Sequence, residues 1–384
     1  MASSSSPDTS QLRCWAEVNL SHLRHNAAIL QNEAGPDCGI MAIVKADAYG
    51  HGLESVVSTL IGHVDWFGVA NYHEAKRTFE AARSQSPSIL ILSPPIPSEI
   101  EPIVDAGFSA SVSSVEEVEA FSIAAERLGV KARLHAVADT GMGRMGALID
   151  HFADLVSAIK DAPGCEIEGL DTHFPSADED PNFTQSQITA FSKIVEALAP
   201  EKSCHLHLAN SAGLLKFQQD LPFATLARPG LALYGISPLV DHPLLRPVLS
   251  LKTRVTLVRN IPAGTSISYG RTFISETPMR VATLAVGYGD GYTCYLSGDK
   301  TRVLLAGERC PLLGRVTMDQ IVVDITHLTR PIQCGDVATL IGKENGEEIT
   351  AKELAKHAGT IPWEILTGIT SRVERIYIES DTEA

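Results

Sequence analysis

The stretch AIVKADAYGHG, residues 42 to 52, places Lys45 at the end of an apolar run and follows it with Tyr49, Gly50, His51 and Gly52. An ammonium group beside a buried strand is costly unless it has a partner or a task. A lysine in such surroundings suits carbonyl attack and proton abstraction. Other chemistry-bearing residues also follow apolar runs: Asp139 to Arg144 in DTGMGR, His173 in DTHF, Asn210 and Ser211 in NSAG, and Arg228, Gly230 and Leu231 in RPGL. The N–H groups of NSAG and RPG, with the Ser211 hydroxyl, are suited to cradling a phosphate.

These residues share a neighbourhood only if parallel strands carry them to one end. From residue 40 to about 235, eight apolar runs alternate with segments of helical period, the pattern of a parallel α/β fold. The runs are MAIVKA, WFGVA, SILILS, FSASV, ARLHAVA, EIEGLDTH, CHLHLAN and the segment ending LALYG, the last carrying Arg228, Gly230 and Leu231. Between them, SVEEVEAFSIAAERLG pairs Ser114 with Glu117 as a capping box and stops at Gly129. TQSQITAFSKIVEAL pairs Thr184 with Gln187 and puts Ile188, Phe191, Val195 and Leu198 on one face. Eight such units close most simply into a (β/α)8 barrel, whose chemistry sits at the C-terminal strand ends and whose phosphate site follows strands seven and eight. A phosphate site facing a strand-end lysine points to pyridoxal phosphate, whose aldehyde takes a lysine Schiff base.

Near residue 245 the period changes. SLKTRVTLVRNI alternates apolar and polar residues, and VATLAVGYGDGY, VLLAGERCPLLGRV, QIVVDI and VATLIG read as further strands, with one helix at ITAKELAKHAG. The expected division is a disordered tail over 1–11, the barrel over 12–245 and a mainly β domain over 246–384, linked through PLVDHPLLRP. A net charge of −15, 44% hydrophobic and 20% charged residues describe a globular chain that disfavours nucleic acid and anionic membranes. No apolar run reaches the length of a membrane span. The seven cysteines are scattered without metal-type spacing, which predicts reduced, mostly buried thiols and no metal. The opening MASSSSPDTSQLRC lacks the apolar core of a secretory signal, so a cytoplasmic location is expected.

The motifs WAEVNLSHLRHN, VKADAYGHG, DTGMGRMG, THFPSAD, NSAG, RPGLALYG, SYGRTF, GYGDGY, GRVTMDQ and SRVERIY occur in an order and spacing that resemble the alanine racemases, barrel-type pyridoxal-phosphate enzymes, over nearly the whole chain. The resemblance implies that Lys45 is the Schiff-base lysine and one catalytic base, and that Tyr269 is the other. Racemisation needs both, because a proton leaves one face of Cα and returns to the opposite face. It implies a homodimer with shared active sites, in which Tyr269, Met318 and Asp319 reach into the partner's site, with Tyr288 at the entrance or dimer contact. It further implies that Arg228 faces the pyridine nitrogen and keeps it unprotonated, that His173 links Tyr269 to Arg228, and that Arg144 lies near the phenolic oxygen and the carboxylate of a small amino-acid substrate. Tyr49 resembles a phosphate ligand.

Three positions depart from the commonest family pattern. Val137 stands where many members carry a carbamylated lysine, so a chloride ion or a nearby carboxylate is expected to partner Arg144. Thr317 replaces a cysteine before Met318. Trp363 in IPWEIL replaces the tyrosine that touches the phosphate and limits the side-chain pocket; the indole donates through N–H but has no hydroxyl. Two outcomes stay open there: repacking with alanine retained, or use of serine and other small amino acids. Among rival classes, a basic amino-acid decarboxylase shares the barrel-plus-β plan, and a pyridoxal-phosphate homeostasis protein binds without turnover. The AYGHG and SYGRTF pair favours racemisation over the first, and the β segment carrying Tyr269 argues against the second.

Overall fold

The computed structural model of the chain describes residues 9–83, 85–239 and 243–379; most of the expected tail, 1–8, and the middle of the expected link, 240–242, lie outside them. Tertiary packing divides the described chain into two units. One comprises Leu23–Ala48 and Leu53–Arg246; the other comprises the segments up to His22, Tyr49–Gly52 and from Pro247 onward.

In the first unit eight strands run parallel in the order β8-β1-β2-β3-β4-β5-β6-β7: β1 Gly39–Ile43, β2 Trp66–Val69, β3 Ser88–Ile91, β4 Ser109–Val112, β5 Ala132–Asp139, β6 Cys165–Asp171, β7 His205–His207 and β8 Leu226–Ala227. Backbone bonds from Thr225 to Leu206 (2.9 Å) and from Arg228 to Ala209 (2.8 Å) bring β8 against β7, so the barrel nearly closes. Strands covered on both faces explain the continuous apolar runs. The Val115–Leu128 helix has the expected ends, with Ser114 and Glu117 forming the capping box and Gly129 at φ 68°.

Two expectations are corrected. The next-to-last barrel helix begins at Pro181, not near Thr184, because Asp180 caps it by accepting from Phe183 N–H (3.0 Å) and proline is favoured in the first turn. The eighth strand is Leu226–Ala227. Pro229, with no N–H to donate, follows it, and Leu231–Tyr234 forms a 3₁₀ turn closed by Gly235 at φ 81°. Arg228, Gly230 and Leu231 therefore lie just beyond the strand, not on it.

The second unit is mainly β, built on a nine-stranded sheet. Its long strand Leu249–Ile261 pairs with Met279–Leu284 and Val337–Glu344, while Arg302–Leu305 and Glu308–Leu313 form a hairpin. Thr350 caps the Ala351–Ala358 helix, and Gly359 ends it. The strand Cys14–Asn19 runs antiparallel to Leu249–Ile261 and parallel to Glu374–Ile378. By pairing it belongs to this sheet, unlike a barrel beginning at residue 12: its backbone has ladder partners on both edges there, and all of its residues but Glu17 are buried. All seven cysteines are free, five of them buried.

Candidate active site

Lys45 leaves β1 through an unusual turn. Ala46, Asp47, Ala48 and Tyr49 all have φ of 53–54°, a left-handed helical turn closed by a bond from Ala48 N–H to Val44 (2.9 Å). Non-glycine residues pay about 1–2 kcal/mol each for this conformation. Side chains offset part of that cost. Glu74 accepts from Ala46 N–H (2.8 Å) and Ala70 N–H (2.8 Å), while Asp47 accepts from Leu53 N–H (3.2 Å) and Arg77 (2.9 Å). Among the described residues the Lys45 ammonium has neither a hydrogen-bond nor an ion-pair partner. Burial holds its pKa below the ordinary lysine value, Arg144 and Arg228 add to that, and Glu74 opposes it.

Arg228 is the buried hub of the barrel residues. It donates to Asp171 Oδ2 (3.2 Å), the His207 carbonyl (2.7 Å), the Thr172 carbonyl (2.6 Å), His173 Nδ1 (3.2 Å) and His207 Nδ1. Since arginine has donors only, both Nδ1 atoms must accept. His207 Nε2–H is left to donate to His135 Nδ1 (2.8 Å), and His135 Nε2–H to Glu168 (3.2 Å), which also accepts from Ser109. Burial, with the Arg228, Arg144 and Lys45 charges, pushes His173 down to about 3, and His207 also lies well below the usual imidazole value. Both rings are neutral at physiological pH.

Local backbone detail places this chain of groups. The β5–β6 register slips between Leu134 and His135, leaving Glu168 as the extra residue of a bulge. Gly169 follows because a Cβ there would stand 2.3 Å from His135 Nδ1. Gln187 turns inward from its helix to bond Thr140 (3.0 Å) and the His173 carbonyl (3.2 Å).

The phosphate-cradle residues are partly committed to one another. Asn210 caps the helix beginning at Ser211, accepting from Gly213 N–H (3.0 Å) and donating to the Phe174 carbonyl (3.0 Å). Ser211 accepts from Gly230 N–H (3.0 Å) and Ala232 N–H (3.1 Å), which fixes the turn carrying Leu231. The Gly230 N–H is therefore engaged within the protein, contrary to a freely exposed donor. Asp139 holds the following loop by accepting from Gly141 (2.9 Å) and Gly143 (3.1 Å). Arg144 in that loop is exposed and Val137 is buried. No described carboxylate lies within ion-pair distance of Arg144, so the expected nearby-acid partner is not realised.

In the second unit Tyr269 is 70% exposed, on a turn where Ser268 and Arg271 have φ of 62° and 50°. Tyr288 N–H bonds the Thr317 carbonyl (3.0 Å) and Gly289 N–H the Met318 carbonyl (2.9 Å), bringing Tyr288, Met318 and Asp319 together. Gly287 permits this approach, because a Cβ would lie 2.2 Å from Thr317 O. Arg372 joins Asp319 (2.8 Å) to Asp290 (3.2 Å). The Thr317 hydroxyl closes its own turn through Gln320 (2.8 Å). Trp363 hydrogen-bonds Tyr49, which is buried and pushed up to about 12 mainly by that burial.

Residues 18–238 match the alanine racemase N-terminal domain and residues 248–377 the alanine racemase C-terminal domain. The chain belongs to the alanine racemase family. Within it, the chain is 38% identical to the alanine racemase of Geobacter sp. (strain M21), over 94% of this chain and 98% of that protein. The alanine racemase structure from Streptomyces coelicolor A3(2) superposes with a TM-score of 0.89 at 33% identity, covering 97% of this chain and 99% of that one. The Bartonella henselae alanine racemase, solved with covalently bound pyridoxal phosphate, gives 0.86 at 29% identity, covering 95% and 99%. Family motifs pointed to Lys45, His173 and Arg228 but not to Asp171, His207, His135, Glu168 or Gln187. For the four strand residues the signal was a polar side chain inside a buried strand, as in HLH of β7; Gln187, on a helix, had none beyond its place near Thr184.

Proposed function

We infer that this chain is a pyridoxal-phosphate-dependent racemase that interconverts L- and D-alanine. The observation that carries the reading is an unpartnered, desolvated Lys45 in a barrel whose charged neighbours Arg144 and Arg228 are also cations, in an alanine racemase chain of net charge −15. Those residues fit an anionic aldehyde cofactor: one free amine to bond it and two cations to attract it. When bound, the cofactor supplies the carbonyl that takes the substrate amine and a ring that draws electron density from Cα.

Lys45 takes or returns the Cα proton on one face. Tyr269 of a second subunit does so on the other, in a cytoplasmic homodimer with shared sites. His173, neutral and accepting from Arg228 at Nδ1, presents its Nε2 proton to that tyrosine oxygen. Arg228 would hold the ring-nitrogen end of the cofactor, and Arg144 would orient the substrate carboxylate. Tyr49, Asn210, Ser211, Leu231 and Trp363 would hold the phosphate end, with Gly230 fixing the turn that carries Leu231 through its bond to Ser211; Tyr288, Met318 and Asp319 of the second subunit would line the entrance. No helix among the described residues is long and apolar enough to cross a membrane.

Subunit complementation tests the shared site. Lys45→Ala and Tyr269→Phe are each expected to abolish most racemisation of pure L-alanine, followed by chiral chromatography. Mixed and refolded together, they should regain about one quarter of wild-type activity, since half of randomly paired dimers carry one intact site. No recovery would place both bases in one subunit.

A further inference from the structure

The Arg228 hub contains one group whose role the racemase reading leaves unused. Asp171 ends β6, is buried, and meets Arg228 Nη1 through Oδ2 at 3.2 Å, with His207 Nδ1 at 3.8 Å from the same oxygen. Its other oxygen, Oδ1, is buried with no hydrogen-bond partner among the described residues. Every other group facing Arg228 has a fixed protonation state. His207 and His173 must accept at Nδ1 from an arginine that only donates, and the remaining contacts are the Thr172 and His207 carbonyls. Beyond them, His207 leads to neutral His135, and the neighbouring charges on His173 are Arg144 and Lys45.

We propose that Asp171 is the proton-exchanging counter-ion of Arg228 and sets the charge at the ring-nitrogen end of the cofactor site. With Asp171 protonated, Arg228 presents a full cation there. With Asp171 ionised, the pair is neutral and the pull on the ring is weaker. The unpaired Oδ1 is the atom with room for the proton, because Oδ2 accepts from Arg228. Burial raises the Asp171 carboxyl to about 7, against the Arg228 charge that lowers it, which puts the exchange in the working range. The proposal rests on Arg228 facing the cofactor ring.

Two measurements on the full-length, cofactor-free chain test it. Infrared spectra of protein carrying [4-13C]aspartate should show an isotope-shifted carboxylic-acid band at about pH 6 that vanishes by about pH 8.5, because an ordinary aspartate is already ionised at both. This uses the wild-type protein, so it stands even if a variant misfolds. Next, affinity for pyridoxine 5'-phosphate, which lacks the aldehyde and cannot bond Lys45, is measured by calorimetry for wild type and Asp171→Asn. The two should agree near pH 6. Near pH 8.5 the wild type should bind more weakly than the variant by roughly threefold or more, as an added buried anion opposes an anionic ligand. An aspartic-acid band absent at pH 6, or an affinity ratio constant with pH, would overturn the proposal. Failure of both proteins to bind the analogue would instead remove the cofactor-site reading of Arg228, while the infrared band still decides the proton exchange.

Discussion

The Trp363 indole N–H donates to the Tyr49 hydroxyl, so the oxygen of the second residue is oriented by the first. Trp363→Phe removes the donor while keeping an aromatic ring, and a neutral hydrogen bond is worth about 0.5–1.5 kcal/mol. We expect weaker cofactor retention by a few-fold, read by dialysis and absorbance, with alanine still turned over. Unchanged retention would separate Tyr49 from cofactor binding.

A panel of amino acids resolves what Trp363 does to specificity. Alanine is expected to remain the best substrate, since one small side-chain difference is worth only about 1–3 kcal/mol in a hydrophobic pocket. Chiral chromatography on serine and 2-aminobutyrate checks this; faster serine turnover would assign Trp363 to an altered pocket.

Arg144, exposed and without a described carboxylate partner, is expected to take an anion. Thermal unfolding in chloride should occur a few degrees higher than in gluconate at equal ionic strength, the shift expected of a ligand that binds only the folded state. Arg144→Gln should lose that difference. Bromide soaked into crystals and located by anomalous scattering gives the position; no peak near the guanidinium would remove the idea.

Stability should fall on acidification below about pH 6.5. His173, His207 and His135 are all held below the ordinary imidazole value in the folded chain, chiefly by burial. Between those folded values and the unfolded one, the unfolded chain binds more protons, so stability rises with pH there. Asp171 acts oppositely: its raised value makes the folded chain bind more protons between about 4 and 7, contributing stability that is lost as pH rises. Three histidines outweigh one carboxyl, and Asp171→Asn should steepen the acid dependence measured by urea unfolding.

Gly169→Ala tests the packing around His135. The added Cβ would lie 2.3 Å from His135 Nδ1, in a core where inserted methyl groups cost about 1–3 kcal/mol. Urea unfolding should show a loss of that size. A neutral result would mean the ring shifts freely, and the chain from Arg228 to Glu168 is loose.

The sequence by itself determined the barrel's strand runs and the Val115–Leu128 helix, because burial on both strand faces, a capping box and a stop glycine are local signals. It also marked Lys45, His173 and Arg228 as candidates, since each follows an apolar strand run, while Tyr269 came from the family resemblance of SYGRTF. Other features depended on tertiary contact. Asp180 caps a helix that Thr184 was expected to open, Pro229 curtails the last strand, and Cys14–Asn19 finds its ladder partners in strands formed by residues far along the chain. Asp171, His207, His135 and Glu168 read as polar interruptions in buried strands. Only the closing of the barrel, with a bulge at Glu168 and Arg228 donating to both histidines, turns those interruptions into one hydrogen-bonded set, because a buried polar group must find its partner across strands that the sequence cannot align.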